Sequence, residues 1–250
     1  FTSAYNANQT TLETMGKIMP DLLFISDAQN HSSIIQGLRH SKCRKEIFKH
    51  NDVQDLESIL MSNPGPKCVV FESVYSMDGD IAPVKEIVEV CKKYNAITFI
   101  DEVHAVGLYG PTGAGICERD GIEVDIINGT LAKAYGVQGG YIAGKREFID
   151  AIRSMASAFI FTTSLSPVLC AGALTSIKYV KDHPELRMKL QERALKTKEE
   201  LERIGIEVMK NDSHIVPVII GDAKKCKAVS DELLYKNGIY VQPINYPTVA

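Results

Sequence analysis

Short apolar segments alternate with amphipathic segments through the first two thirds of this chain of 250 residues. The apolar segments are rich in β-branched and aromatic residues, which is typical of strands buried on both faces of a parallel sheet. We predict strands at residues 22–26, 67–72, 96–100, 125–127 and 140–143. The spacing of apolar residues between them predicts amphipathic helices, at 32–39 and 83–94. This alternation predicts an α/β protein with three α/β/α layers and a mostly parallel sheet.

The last third of the chain is mainly helical before it changes character. Helices are predicted at 147–156 and 168–179. A long charged helix then begins at Pro184 and runs to about Arg203, because proline suits the first helical turn. The segments after it are predicted to be a strand, a helix and a strand, at 215–220, 223–235 and 238–241. We therefore predict a large domain, residues 1–180, and a smaller α+β domain, residues 181–250.

Both ends of the sequence fall within segments that belong to these predicted domains. The chain starts at Phe1 without a Met and ends at Ala250. We expect it to be a piece of a longer protein, with the large domain truncated at its N-terminus and the small domain incomplete. Such a piece is expected to be inactive alone.

The composition excludes several classes of function. Hydrophobic residues make up 45% of the chain and the formal net charge is -3, so charge gives no reason to expect nucleic acid or an anionic membrane as partner. No apolar run approaches the length that spans a bilayer. The six cysteines are scattered without a CxxC pair, which favours free buried thiols in a reducing compartment.

Ionisable side chains follow the ends of two consecutive predicted strands. The strand at 96–100 runs directly into Asp101, Glu102 and His104, and ligands in open α/β sheets bind beyond the carboxyl ends of the strands. The next strand is followed by Lys133 among glycines and alanines, where a bulky ligand can approach the backbone closely. An aspartate and a lysine placed in this way suggest pyridoxal phosphate. The lysine supplies a Schiff base, and the aspartate keeps the pyridine nitrogen protonated.

These side chains also have simpler interpretations. Lys133 alone is most simply a solvated surface lysine. Asp101, Glu102 and His104 are metal-ligand types, but neighbouring strand residues point to opposite faces and no zinc-ligand spacing completes a site. His31 lies in a strand-to-helix loop, where it is either structural or stacks on a cofactor ring. We favour the cofactor interpretation for Lys133, Asp101 and His31, and we predict no metal site.

Two glycine patterns do not support a nucleotide site. Residues 139–145 fit GxxxxGK, but Arg146 replaces the Ser or Thr that a phosphate loop requires. Residues 110–115 lack the GxGxxG order, which argues against a Rossmann dehydrogenase. No GxSxG motif marks a serine hydrolase.

With these residues in place, the sequence resembles the α-oxoamine synthases, pyridoxal-phosphate enzymes of the aspartate aminotransferase fold type I. The resemblance covers essentially the whole chain. It is carried by segments 26–31, 71–80, 101–107, 129–140, 161–165 and 244–249.

The resemblance implies roles for residues around the cofactor ring. Lys133 is expected to hold the cofactor covalently and to act later as the base on glycine. Asp101 would pair with the ring nitrogen and His104 with the ring oxygen. His31 would stack on the ring, and Ser76 would lie beside it.

The resemblance also implies how the cofactor phosphate is bound. Thr130 is expected to bind it, together with the backbone amides of Ala4 and Tyr5. The family usually has glycine where this chain has Ala4. Thr162 or Thr163 is expected to reach the phosphate of the neighbouring subunit.

The implied activity is the condensation of glycine with succinyl-CoA to give 5-aminolevulinate, CoA and CO2, an early step of haem biosynthesis, by a homodimer with shared active sites. The amino-acid sequences of segments 101–110 and 244–249 favour this substrate pair. A bacterial member would be cytoplasmic and a eukaryotic one mitochondrial; we prefer the cytoplasm.

Two alternatives to this activity stay open. A sister enzyme of the 2-amino-3-ketobutyrate CoA ligase or 8-amino-7-oxononanoate synthase type would use another acyl-CoA. A non-catalytic partner subunit is the alternative of another class, although it would be expected to have lost Lys133.

Overall fold

The computed structural model describes residues 1–246, 248 and 249 of the chain. A six-stranded sheet has the order β2-β1-β3-β4-β5-β6. Strands β1 to β5 are parallel, and β6 pairs antiparallel with β5 at one edge. The strands are β1 Leu23–Asp27, β2 Arg44–Phe48, β3 Lys67–Glu72, β4 Ile97–Asp101, β5 Ile126–Thr130 and β6 Gly140–Gly144. The predicted α/β fold with a mostly parallel sheet is confirmed.

Helices precede, connect and follow these strands. They are α1 Ala4–Ile18, α2 Ser32–Ser41, α3 Val53–Ser62, α4 Val84–Lys93, α5 Ile116–Asp120, α6 Arg146–Met155, α7 Ser157–Ile160, α8 Pro167–Asp182, α9 Pro184–Arg203 and α10 Ala223–Asn237. None of the described helices is both long enough and apolar enough to cross a bilayer.

Alternate residues of the central strands pack in two separate hydrophobic cores, one on each face of the sheet. Val69 of β3 packs in the core that includes Leu56 of α3 and Ile87 of α4. Its neighbour Val70 packs in the opposite core, which includes Leu12 of α1 and Ile34 of α2. Burial on both faces is why these strands appear in the sequence as continuous apolar runs.

The N-terminus of α1 lies directly against the start of β6. Gly140 N donates to Phe1 O at 3.0 Å, and the amino group of Phe1 donates to Gly140 O at 2.9 Å. A Cβ at Gly140 would collide with the backbone of Ser3 and Ala4, so only glycine fits at this crossing. Ser3 caps the helix, and its Oγ accepts a hydrogen bond from Asn6 N at 3.1 Å.

Two predicted strands of the C-terminal region are wrong. The region predicted as a strand at 215–220 forms one isolated bridge, between Val208 and Val218, and Pro217 there has no N–H to extend a ladder. Residues 238–241 also form no strand, and the carbonyl of Val241 accepts a hydrogen bond from Ser230 Oγ instead. Both statements concern the described part of the chain; Pro247 of segment 244–249 and Ala250 lie outside it.

The helical predictions of this region are confirmed within a few residues. Helix α9 spans Pro184–Arg203, and α10 begins at Ala223 as predicted. His183 separates α8 from α9 and belongs to neither helix. A domain boundary near residue 180 stays a prediction.

Candidate active site

The carboxylate of Asp101 stands at the carboxyl end of β4 and is almost completely buried. Its Oδ1 accepts a hydrogen bond from Val103 N at 2.8 Å, and its Oδ2 accepts one from Asn128 Nδ2 at 3.2 Å. Burial raises the pKa of this carboxyl, and the donated hydrogen bonds and the charge of His31 oppose the rise. Three neutral donors and a nearby imidazole thus offset part of the effect of burial on this carboxylate.

The third donor to Asp101 is Asn8, a residue that sequence reasoning missed. Its Nδ2 lies 2.5 Å from Asp101 Oδ2 and 3.0 Å from Ser33 Oγ. Asn8 projects from α1, whose register against the sheet cannot be deduced from a polar sequence. No sequence motif marks this asparagine.

Glu102 belongs to the scaffold. It is fully buried and accepts hydrogen bonds from Ser73 Oγ at 2.6 Å, from Ile116 N at 3.0 Å and from Cys117 N at 2.8 Å. These bonds hold the first turn of α5 and lie apart from those of Asp101. The expectation that the two carboxylates point in different directions is confirmed.

A second carboxyl at this edge was also missed. Glu72 ends β3 directly beside Asp101 in the sheet register, and it is buried. Its Oε1 accepts a hydrogen bond from His31 N at 2.6 Å. Burial raises the pKa of Glu72 well above its usual range, and the charge of Asp101 adds to the rise. Glu72 thus fixes the loop that carries His31.

His31 lies at the N-cap of α2, and its Nδ1 accepts a hydrogen bond from Ser33 N at 3.2 Å. Burial lowers the pKa of this imidazole, the charge of Asp101 raises it and that of Lys133 lowers it again. The ring of Tyr5 stands edge-on to it, with centroids 6.1 Å apart. The fold thus brings His31 near both Asp101 and Lys133.

Lys133 is exposed in the turn after β5. Its charge lowers the pKa of His104 as well as that of His31. Burial, together with the charges of Lys133, His214 and His31, lowers the pKa of His104 to about 3. His104 is therefore neutral at physiological pH.

An anion-binding geometry lies at the start of α1. Ala4 and Tyr5 are its first two residues, and N–H groups in the first turn of a helix have no acceptor within the helix. Helix α1 packs on β5, where the buried Thr130 forms the last residue. Thr130 Oγ1 accepts a hydrogen bond from Ala132 N at 3.1 Å, which ties it to the turn that carries Lys133.

The remaining predicted residues are not hydrogen-bonded to this cluster. Ser76 is half-buried in the turn after β3. Thr162 and Thr163 are exposed in the segment between α7 and α8. Within the described residues, none of the three forms a hydrogen bond with the other predicted site residues. An exposed position is compatible with the expected contact of Thr162 or Thr163 with a second subunit.

A pH dependence of stability follows from the buried imidazoles. Burial and, to a smaller extent, the charge of Lys198 lower the pKa of His214 to about 4. Because an unfolded histidine titrates near 6.5, the unfolded chain binds more protons below that pH, and stability is lost as pH falls from 6.5 towards 4. We expect His214→Gln to flatten this dependence in urea unfolding experiments. Parallel curves for wild type and variant across pH 4–6.5 would contradict it; curves above pH 7 serve as the internal control.

The chemistry of this donor set fits pyridoxal phosphate. A buried carboxylate suits a cationic ring nitrogen, neutral imidazoles suit the ring and its oxygen, and an amine suits an aldehyde. The free amides at the start of α1 suit a phosphate dianion. These groups stand at the carboxyl edge of one sheet, near the point where strand order reverses between β1 and β3.

A mostly parallel sheet between two helical layers, with this edge, is the architecture of fold type I. The family model described as aminotransferase class I and II matches residues 1–250, and the chain belongs to that family.

Curated relatives include 5-aminolevulinate synthases. The chain is 55% identical to that of Rhizobium meliloti, over 100% of this chain and 63% of the relative. It is 52% identical to the enzyme of Bradyrhizobium diazoefficiens, over 100% of this chain and 62% of the relative. Identity is also 52% with the mitochondrial enzyme of Schizosaccharomyces pombe, of which the chain covers 46%. The chain thus spans less than two thirds of these relatives.

Solved structures of related enzymes have the same fold. A serine palmitoyltransferase with pyridoxal phosphate superposes with a TM-score of 0.92 at 34% identity, covering 100% of this chain and 63% of that one. The 8-amino-7-oxononanoate synthase of Francisella tularensis superposes with a TM-score of 0.83 at 25% identity, covering 99% and 72%.

Proposed function

We propose that the protein is a 5-aminolevulinate synthase, which uses pyridoxal phosphate to condense glycine with succinyl-CoA and releases CoA and CO2. The observation that carries the proposal is the 52–55% identity with curated 5-aminolevulinate synthases across the whole chain. The presence of Lys133, Asp101 and His104 around one sheet edge supports it. Relatives of bacterial and of mitochondrial origin occur, and we propose a cytoplasmic location if the source is bacterial.

In this proposal the bound cofactor supplies an electron sink for the electrons of glycine's α-carbon. Asp101 holds the proton on the ring nitrogen, and this role requires a carboxylate kept charged in a buried place. Asn8 and Asn128 hold that carboxylate by donating to its Oδ2. His31, whose loop is held by Glu72, would stack on the ring.

Lys133 would have two roles. Its amine attaches the cofactor, and after substrate exchange it is free to take the α-proton of glycine. The neutral His104 donates a hydrogen bond to the ring oxygen without adding positive charge beside Lys133. Thr130 and the amides of Ala4 and Tyr5 would bind the phosphate.

We also propose a homodimer with shared active sites. Thr162 or Thr163 of one subunit would reach the phosphate in its partner. Two exposed apolar residues, Phe161 and Val168, lie on either side of these threonines in the sequence. A partner subunit would cover them. The division into a large domain to about residue 180 and a smaller domain after it belongs to this proposal.

The test is an acyl-CoA panel with glycine, using the full-length protein. We expect kcat/KM for succinyl-CoA to exceed that for acetyl-CoA by at least about 100-fold, because a site built to pair a carboxylate rejects analogues without one. Preference for another acyl-CoA would assign the protein to a sister enzyme. No turnover with any thioester, despite bound cofactor, would support the non-catalytic subunit.

A further inference from the structure

His50 forms an ion-paired bridge between two loops at the carboxyl edge of the sheet. It follows β2, and its Nδ1 lies 2.8 Å from Asp27 Oδ1. Its Nε2 lies 2.7 Å from Asp80 Oδ2. We call the group Asp27, His50 and Asp80 the His50 bridge.

The ring of the His50 bridge is an imidazolium. Both nitrogens face carboxylate oxygens, so both must donate. Burial alone lowers the pKa of His50, but its hydrogen bonds to Asp27 and Asp80 and their charges outweigh this and raise the pKa to about 10. The ring also packs edge-on against Tyr75, with centroids 4.5 Å apart.

One end of the bridge fixes the loop that leads to His31. Asp27 is the last residue of β1 and is buried. Its Oδ1 accepts a hydrogen bond from Gln29 N at 2.8 Å, and its Oδ2 accepts one from Asn51 N at 3.0 Å. Asp27 therefore holds the first residues of the turn that connects β1 to His31 at the start of α2.

The other end closes the loop that carries Ser76. The backbone of Asp80 accepts a hydrogen bond from Tyr75 N at 3.0 Å, and Gly79 N donates to Tyr75 O at 2.9 Å. Asn51 Nδ2 adds a hydrogen bond to Asp80 Oδ2 at 2.5 Å. The two loops follow β1 and β3, between which the strand order reverses.

We propose that His50 is a positioning residue that sets the distance between the His31 loop and the Ser76 loop. It would thereby set the width of the space in which the cofactor ring binds. This inference rests on the proposed function, because it takes His31 and Ser76 as contacts of the ring. His50 touches neither substrate nor cofactor and acts through Asp27 and Asp80.

A group that overlaps the His50 bridge is a poor cation site. His50, Asp78 and Asp80 offer ligand atoms within 4.8 Å of one another. Both ring nitrogens of His50 already donate to carboxylates, so the ring has no lone pair for a metal.

Hydrogen exchange of the full-length protein without cofactor tests the bridge directly. In His50→Gln we expect amide exchange to rise roughly tenfold or more in both 27–31 and 75–80, because each carboxylate loses a charge-assisted partner. Exchange in Arg146–Met155, which packs in the core on the opposite face of the sheet, should not change. His183→Gln is the matched control, since the half-buried His183 pairs with the nearby Glu185 and packs on Tyr179, within its own helix junction.

Cofactor binding is the second measurement. We expect His50→Gln and Asp80→Asn each to weaken pyridoxal phosphate binding roughly tenfold, and the double variant to be no weaker than either alone. Additive losses would overturn the bridge, as would faster exchange in one loop only or throughout the protein. If wild type binds no pyridoxal phosphate, the proposed function fails, whereas the exchange experiment still decides whether His50 joins the loops.

Discussion

Lys133→Ala is expected to lower kcat by about 10⁴-fold or more. The variant loses a positioned base, which alone is typically worth 10²–10⁴-fold, and it loses covalent attachment of the cofactor as well. It should still bind some cofactor, because Asp101 and the first turn of α1 are unchanged. Steady-state assays with glycine and succinyl-CoA, together with cofactor titration, measure both effects.

Lys145→Ala is the matched control for that experiment. Lys145 is an exposed lysine beyond β6 that pairs with Asp125, and it should be dispensable for turnover. In wild type, borohydride reduction and peptide mapping should place the pyridoxyl label on Lys133. A label on another lysine, or a Lys133→Ala enzyme with normal turnover, would exclude the proposed attachment.

Asp101→Asn is expected to slow exchange of glycine's α-proton by at least about 100-fold, the loss typical of removing one preorganised charge-stabilising group. The substitution keeps the size of the side chain but removes the charge that retains a proton on the ring nitrogen. Proton exchange, followed by NMR with glycine alone, isolates this step from acyl transfer.

A structural effect of the same substitution must be separated from the electronic one. Asp101→Asn would place a side-chain amide among the donors Asn8, Asn128 and Val103 N, so thermal unfolding should accompany the kinetics. Asp101→Glu keeps the charge and should retain more activity than Asp101→Asn. Wild-type exchange in a folded, cofactor-loaded Asp101→Asn enzyme would disprove the role.

The parts of the fold that the sequence predicts are those with a strong local signal. Strands β3 and β4 are buried on both faces, so each forms an apolar run. Edge strand β2 was missed because four of its five residues are exposed, and only Phe48 contributes to the core. Helix α1 was missed for a different reason: its buried face contains Asn8 and several threonines, which hide the apolar period.

The candidate site also contains residues that the sequence predicts and residues that it does not. Lys133, Asp101 and His104 follow predicted strands, and their strand-end positions are enough to single them out. Asn8 is 93 residues from Asp101 in sequence, and their contact exists only after α1 docks on the sheet. Glu72 has no motif of its own, since its role is to hold a backbone amide of His31.

The contact of Gly140 with the start of α1 limits how a protein of this design can diverge. A side chain at position 140 would push α1 off the sheet, because the obstacle is the backbone of Ser3 and Ala4. The shift would displace the first-turn amides and, three residues further on, Asn8. One mutation would then disturb both the first-turn amides and the contact of Asn8 with Asp101, two parts of the proposed cofactor site. The corner formed by α1 and β6 is therefore expected to tolerate less change than the exposed loops do.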